Sequence, residues 1–487
     1  MQTMKVLKNY INGKWLDSPS GKKKTNTNPA DKRETVSEAP VSTVQDAEQA
    51  IQSANNAYAG WSHTPMPQRA TLLREVVRRM EEQEDAFVNI ITLENGKTLR
   101  ESQTEFRAAI KEAEFQIAQG RQLGGVHLSS ERPGASCYLT RRPLGVASLI
   151  TPWNFPLNVA CRKMFPALVA GNCCVLKPAD PTPATAALLF EVMAQLDFPP
   201  GVVNFIMGQG SVIGDTLVTH PFVKAISFTG STEVGLGIAR RAAGSPTQVQ
   251  LEMGGKNPLV VLADADLEKA IDAALLGAFS CSGQWCTSTS RVIVEAKIYD
   301  HFLDGLIART REIVVGDGRD SSSRMGPVTG SKQYETILNY IQIGKNEGAR
   351  LCVGGQALKE GKLAHGCFIA PTIFADVTPK MRIAQEEIFG PVLSVLKASD
   401  FDDALRIANE TIYGLSSSIF TNDLAKAQRF IEDSEVGLCH VNLPTAHKEP
   451  QLEFGGVKES ARGLPEAGRA GIEFFTTHKA VYVKHQL

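Results

Sequence analysis

The chain has 487 residues, 43% of them hydrophobic and 21% charged, with a formal net charge of −1. That length suits two or three domains with sizeable cores. The near-neutral balance excludes a global field pulling it toward nucleic acid or a membrane surface. Nine cysteines, an odd number with no CxxC pair, argue against a disulfide framework or a structural zinc site. Free thiols in a reducing compartment are expected. The polar start, with Lys5, Lys8 and Lys14, lacks the apolar core of a secretory leader. No membrane span, nucleic acid or metal is expected, and the cytoplasm is the expected location.

Residues 10–16 read as a short strand turning at Asn12-Gly13. Residues 25–36 are polar and read as irregular. A helix is expected over 44–61. Leu72, Leu73, Val76, Val77 and Met80 then share one helical face, and Glu94-Asn95-Gly96-Lys97 ends that helical region in a glycine turn. Another helix is expected over 104–119, and Arg132-Pro133-Gly134 breaks the pattern.

From Pro143 short apolar runs alternate with helical stretches. Residues 145–151, 173–176, 202–206 and 225–229 read as buried strands. Residues 158–170, 183–196, 211–219 and 232–243 read as the helices between them. The alternation predicts a parallel sheet covered on both faces, the doubly wound, Rossmann-like α/β architecture of a nucleotide-binding domain. A second α/β series starts near Gln248, with strands over 259–262 and 290–295 and helices over 267–279, 299–314, 333–347 and 401–410. The tail, 472–483, reads as extended, and with no local partner it is expected to pair with another subunit.

Several features carry chemistry. Gly208-Gln209-Gly210, with Gly214 beyond, approaches a phosphate-loop pattern but misses its spacing by one. In Phe228-Thr229-Gly230-Ser231-Thr232 a strand feeds directly into a helix. The free N–H groups and positive end of that helix suit a pyrophosphate, and Ser231 also suits a plain helix cap. Cys286 stands among Gly283, Gln284, Thr287 and Ser288, on a loop after a helix rather than in a core; Cys281 competes with it as a nucleophile. Glu252 ends an apolar strand beside Gly254 and Gly255, where partial desolvation would raise its pKa toward general-base values. The simpler alternative pairs Glu252 with Lys256.

These motifs occur together with Pro152-Trp153-Asn154-Phe155-Pro156, Lys177-Pro178-Ala179-Asp180, Glu386-Glu387-Ile388-Phe389-Gly390-Pro391 and Phe454-Gly455-Gly456-Val457-Lys458. In this order the set resembles the aldehyde dehydrogenase superfamily over nearly the whole chain. The resemblance implies Cys286 as nucleophile, Asn154 with the Cys286 N–H as oxyanion hole, and Glu252 as the base that hydrolyses a thioester. It implies NAD or NADP as cofactor, met by Ile150, Thr151, Pro152, Trp153, Lys177, Ala179, Asp180, Gly210, Thr229, Gly230, Ser231, Met253, Glu387 and Phe389. Asp180 would repel a 2′-phosphate, which favours NAD. Glu252 favours hydrolysis over acyl transfer to coenzyme A, and the retained Cys286, Glu252 and Asn154 argue against a non-catalytic relative.

Arg162, eight residues after Asn154, resembles a carboxylate-binding arginine of succinate semialdehyde dehydrogenases, although the second arginine such enzymes carry is Ser280 here. With His447 and Lys448 it suggests a small anionic aldehyde as substrate; the alternative is that Arg162 pairs with a structural carboxylate. Residues 251–294 most resemble 2-oxoglutarate semialdehyde dehydrogenases; a sulfonated aldehyde such as sulfolactaldehyde is the alternative. The expected organisation is a dinucleotide-binding domain over 1–121 and 142–250, an α/β catalytic domain over 251–469, and a small β oligomerisation domain joining 122–141 with 470–487. A homodimer or homotetramer is expected.

Overall fold

The apolar runs that alternate with helices assemble into an eight-stranded sheet in the computed structural model, which describes residues 4–485. Its order is Ala461–Arg462, Gln248–Glu252, Val223–Thr229, Val146–Ile150, Cys173–Lys177, Val203–Phe205, Asn9–Ile11, Lys14–Leu16. The five strands between the first and the last two are parallel. Parallel strands covered on both faces must be apolar throughout, which is why these runs show no alternation. The helix Asn158–Ala170 is buried along its whole length against this sheet, and Gly171, at φ 104°, ends it.

The second series forms a seven-stranded sheet: Arg350–Val353, Thr372–Ala375, Val392–Ala398, Thr289–Glu295, Asn257–Val261, Ser416–Phe420, Leu438–Val441. Only the Arg350–Val353 edge is antiparallel. Leu259 and Val261 enter one core, and Val260 enters the core on the opposite face, following the strand period of two. This series begins at Asn257 rather than near Gln248, because Gln248–Glu252 pairs with Val223–Thr229 in the first sheet. The expected boundary between residues 250 and 251 thus falls inside a strand. Only residues 253–256 separate the two sheets along the chain, so the loops at the ends of the first sheet's parallel strands meet the second sheet's loops.

Two expectations are corrected. Residues 25–36 are not irregular: Lys23–Asn28 and Asp31–Pro40 form an antiparallel pair. The buried positions of the first strand are Asn26 and Asn28, and the second buries Val36, Ser37 and Ala39 only toward its end, so no apolar alternation marks the pair. The tail, expected to be extended over 472–483, is extended only from Thr476, and its partner strand within the chain overlaps the 122–141 segment with which it was grouped. Thr476–Lys484 pairs antiparallel along its length with Ala135–Pro143, and residues 472–474 belong to the helix Gly468–Phe474. The partner lies more than three hundred residues away in sequence, beyond any local pattern. Several helix bounds also differ: the helix expected over 299–314 is Tyr299–Thr310, and the one expected from 104 begins at Leu99.

Arg291 joins the second sheet to a covering helix. It is fully buried and donates to the carbonyls of Lys256 (3.0 Å), Ile407 (3.0 Å) and Ala408 (2.9 Å). The last two carbonyls belong to the final turn of Phe401–Asn409, where a cation also meets the negative helix end. Arg291→Met leaves three carbonyls without their donor and is expected to lower the unfolding free energy by about 3 kcal/mol. Urea denaturation checks this as a lower midpoint with an unchanged slope.

Candidate active site

Cys286 stands on a loop after the helix Leu267–Phe279, as its polar neighbours suggested. The turn passes through left-handed backbone at Cys281, Ser282 and Gly283. A Cβ on Gly283 would meet the Gly390 carbonyl oxygen at 2.2 Å, so only glycine lets this loop lie against the Phe389-Gly390 segment. The loop is tied down elsewhere. Glu101 accepts from the Cys281 N–H at 2.6 Å, and Asn257 donates to the Cys286 carbonyl at 2.8 Å. Cys286 is partly exposed in the wall of a cleft of about 1540 Å³. Desolvation pushes its thiol up to about 12; Arg162 opposes this, while Glu252, Glu387 and Glu466 add to it.

Asn154 reaches the same cleft from the other sheet, in the loop after Val146–Ile150. Its Nδ2 donates to the Gln284 carbonyl at 2.9 Å, two residues before Cys286. Glu252 ends its strand under the cleft. Met253 and Gly254 line the wall, while the Glu252 side chain is buried beneath it. The returning strand Ala461–Arg462 pairs with Leu251 and Glu252 and holds this position. One carboxylate oxygen, Oε2, has no hydrogen-bond partner among the described residues. Burial, then Glu466, drives its pKa well above the usual carboxylate range; Lys163 and Arg162 oppose them. The alternative pairing with Lys256 is not formed: the Lys256 Nζ also lacks a partner among the described residues.

Behind Glu252 lie Lys163 and Glu466, which the sequence reading missed. Lys163 Nζ donates to Glu466 and, at 2.8 Å, to Ser227; Thr229 donates to Glu466 at 3.0 Å. Both charged residues are buried, and a lysine inside the otherwise apolar helix Asn158–Ala170 was the available signal.

Most expected cofactor residues line the cleft: Pro152, Trp153, Thr229, Gly230, Ser231, Met253, Glu387 and Phe389. Ser231 caps the helix Thr232–Ala242. Glu387 accepts from the Gly255 N–H at 2.9 Å, and burial raises its carboxyl to about 7. A Cβ on Gly254 would sit 2.4 Å from that carboxylate, which explains the glycine. Phe389, held at φ 56°, meets Trp153 edge to face at 5.3 Å.

Ala179 and Asp180 line a separate small cleft together with Lys24, another residue the sequence reading missed. Asp180 lies 3.4 Å from Lys177 and 3.6 Å from Lys24. Ile150, Thr151, Lys177 and Gly210 line neither cleft. Ile150 and Lys177 end neighbouring paired strands, and Gly210 starts the helix Gly210–Thr219. A Cβ on Gly210 or Gly214 would meet nothing within 4 Å, so packing demands neither glycine.

Arg162, His447 and Lys448 all line the cleft. Arg162 is buried, donates to Asn158 at 2.9 Å, and lies 3.8 Å from Glu112 and 3.6 Å from Glu466. Lys448 donates to Glu112 at 2.9 Å, and burial pulls its ammonium down to about 8. His447 lies at the rim, 3.6 Å from Glu449. The carboxylate that joins the two inner cations, Glu112, was missed. Its signal was a charge on the buried face of Leu99–Gly120, in line with Glu105, Ala109 and Gln116.

The profile of the aldehyde dehydrogenase family matches residues 15–481. The chain belongs to the aldehyde dehydrogenase family. It is 41% identical over 476 residues to the alpha-ketoglutaric semialdehyde dehydrogenase of Bacillus subtilis, covering 98% of each chain. It is likewise 41% identical over 472 residues to the 2,5-dioxopentanoate dehydrogenase of Saccharolobus solfataricus, covering 96% of this chain and 98% of that one. Among solved structures, betaine aldehyde dehydrogenase of Staphylococcus aureus in complex with NAD+ superposes with a TM-score of 0.96 at 35% identity, covering 99% of this chain and 96% of that one. This aldehyde dehydrogenase has all nine cysteines free, and no described helix is long and apolar enough to cross a membrane.

The raised thiol makes Cys286 reactivity pH-dependent. Without cofactor, iodoacetamide alkylation of Cys286 is expected to accelerate about tenfold per pH unit from 7 to 10, with no plateau. Mass spectrometry of the alkylated peptide against time checks the slope.

Proposed function

We propose that the chain oxidises a small aldehyde bearing one carboxylate, of the 2-oxoglutarate semialdehyde type, to the free acid with NAD(P). The observation that carries this reading is that Cys286, Asn154, Arg162 and Lys448 line one cleft. Arg162 and Lys448 are two cations sharing Glu112, while Glu466 is engaged by Lys163. With the Glu252 carboxyl held neutral by burial, three cations (Arg162, Lys163, Lys448) face two carboxylates (Glu112, Glu466), and the one surplus positive charge matches a single carboxylate on the substrate. The names of the relatives from Bacillus subtilis and Saccharolobus solfataricus agree with such a substrate.

In this mechanism Cys286 gives its thiol proton to water in the open cleft, attacks the aldehyde carbon as the thiolate and places an oxyanion beside the Asn154 amide. A neutral donor suits that place, because it meets charge that develops only on attack. The dinucleotide, when bound, supplies the hydride acceptor. The residues fit it: helix N–H groups at Ser231, the Glu387 carboxylate at the cleft wall, and Gly254, whose Cβ would crowd that carboxylate. Cys286 is left as a thioester. Glu252, a strong base because it is buried, takes a proton from the hydrolytic water as its side chain turns toward the cleft. Facing the open cleft, the protonated Glu252 then returns that proton to water. Cys286→Ala is expected to abolish turnover while retaining cofactor affinity. Glu252→Gln is expected to give one NADH per site in a burst followed by a slow steady state, read by stopped-flow absorbance. Arg162→Met is expected to lower kcat/KM for the semialdehyde about 10–100-fold with little change for a neutral aldehyde of equal length.

NAD is the favoured cofactor because Asp180 opposes a 2′-phosphate, while Lys24 offsets that opposition. Removing Lys24 (Lys24→Ala) is expected to weaken NADP binding more than NAD binding, and Asp180→Ala to do the reverse. Fluorescence titration with each dinucleotide compares the two.

A further inference from the structure

The Glu94-Asn95-Gly96-Lys97 turn takes no part in the chemistry above, yet the side chains of Asn95 and Lys97 converge on the loop that carries Asn154. Gly96, at φ 94°, reverses the chain, and a Cβ there would meet the ring of Pro327 at 2.7 Å. Asn95 Nδ2 donates to the Trp153 carbonyl at 2.8 Å. Lys97 Nζ donates to the carbonyl of Asn154 itself at 2.6 Å and to Glu105, and it lies 3.6 Å from the centre of the Phe155 ring. The other Glu105 oxygen accepts from the N–H groups of Leu157 (2.9 Å) and Asn158 (3.2 Å). Three consecutive residues, Trp153 to Phe155, are therefore gripped from behind.

The same turn also reaches the cysteine loop. Thr329 Oγ1 donates to the Asn95 carbonyl at 2.6 Å, and the Thr329 N–H donates to Gln284 Oε1 at 2.9 Å. Gln284 supplies the carbonyl that takes the Asn154 amide. Both loops thus hang from one turn.

We propose that Lys97, neutralised by Glu105, is a positioning residue for the Asn154 amide. The inference rests on the reading that this amide receives the oxyanion. The pair is fully desolvated: the side chains of Lys97 and Glu105 are 1% and 0% exposed. A buried ion pair is a poor way to gain stability, since well-packed apolar residues often do as well or better. What an apolar pair cannot supply is an ammonium that fixes one peptide carbonyl. With that carbonyl fixed, the Asn154 side chain has one direction, toward Gln284 and the cleft. Without it the peptide can rotate, and the amide no longer waits where charge develops.

The test uses the full-length enzyme with NAD and its aldehyde, read by stopped-flow NADH formation in a single turnover. Lys97→Met is expected to slow the burst at least about tenfold. The affinity for NAD and the rate of Cys286 alkylation by iodoacetamide, which forms no oxyanion, are expected to stay within about twofold. In an Asn154→Ala background the same substitution is expected to add nothing. Lys97→Met with Glu105→Met leaves no buried charge uncompensated, and it replaces the single variant if that one fails to fold. A slowing equally large in the Asn154→Ala background, or matched by weakened NAD binding and alkylation, overturns the proposal. A burst unaffected by Asn154→Ala alone instead overturns the reading of Asn154 beneath it, and the proposal with it.

Discussion

The hydrogen bond from Asn154 Nδ2 to the Gln284 carbonyl spans the two large sheets. Asn154 follows a strand of the first sheet; Gln284 precedes a strand of the second. Each loop alone would carry half of a reaction centre. The short crossing at residues 253–256 brings the ends of the first sheet's strands to the loops of the second, and this amide bond sets the final register between them. Glu252 stands at the near end of that crossing, and the strand Ala461–Arg462 returns from the far part of the chain to pair with it. Base, amide and thiol are thus fixed by three connections between the sheets.

Charge is concentrated beneath this junction. Arg162, Lys163 and Lys448 meet Glu112, Glu466 and Glu252 in a region from which water is largely excluded. Desolvation raises Glu252 and Cys286 and lowers Lys163 and Lys448. Both rises oppose ionisation in the resting state, so the Cys286 thiol and the Glu252 carboxyl are held neutral rather than permanently charged. The cations keep the cost of ionising either group within reach.

Much of the architecture was legible because parallel strands must be apolar and glycine turns must fall at fixed places. The runs at 145–151, 173–176 and 225–229 declared the first sheet, and the loop setting of Cys286 was readable from its neighbours. The hairpin at 23–40 was hidden because the buried side chains of its first strand are Asn26 and Asn28 rather than apolar residues. The start of Leu99–Gly120 was readable in principle, since Thr98 and Glu101 form a capping box, but the apolar pattern begins later. Lys24, Lys97, Glu112, Lys163 and Glu466 read as ordinary charges in a linear sequence.

The sequence by itself determined the alternation that builds two parallel sheets, the motif set that identifies the family, and the residue types able to act as nucleophile, amide and base. Those properties are local: side-chain chemistry, strand and helix periods, and the backbone freedom of glycine. Only the tertiary structure decided which charges share a buried region, that Arg162 and Lys448 already hold a protein carboxylate, and the register in which the tail pairs with residues 135–143. The physical reason is that desolvation and electrostatic coupling depend on distance in space. A Coulomb interaction between residues 163 and 466 leaves no trace in their separation along the chain.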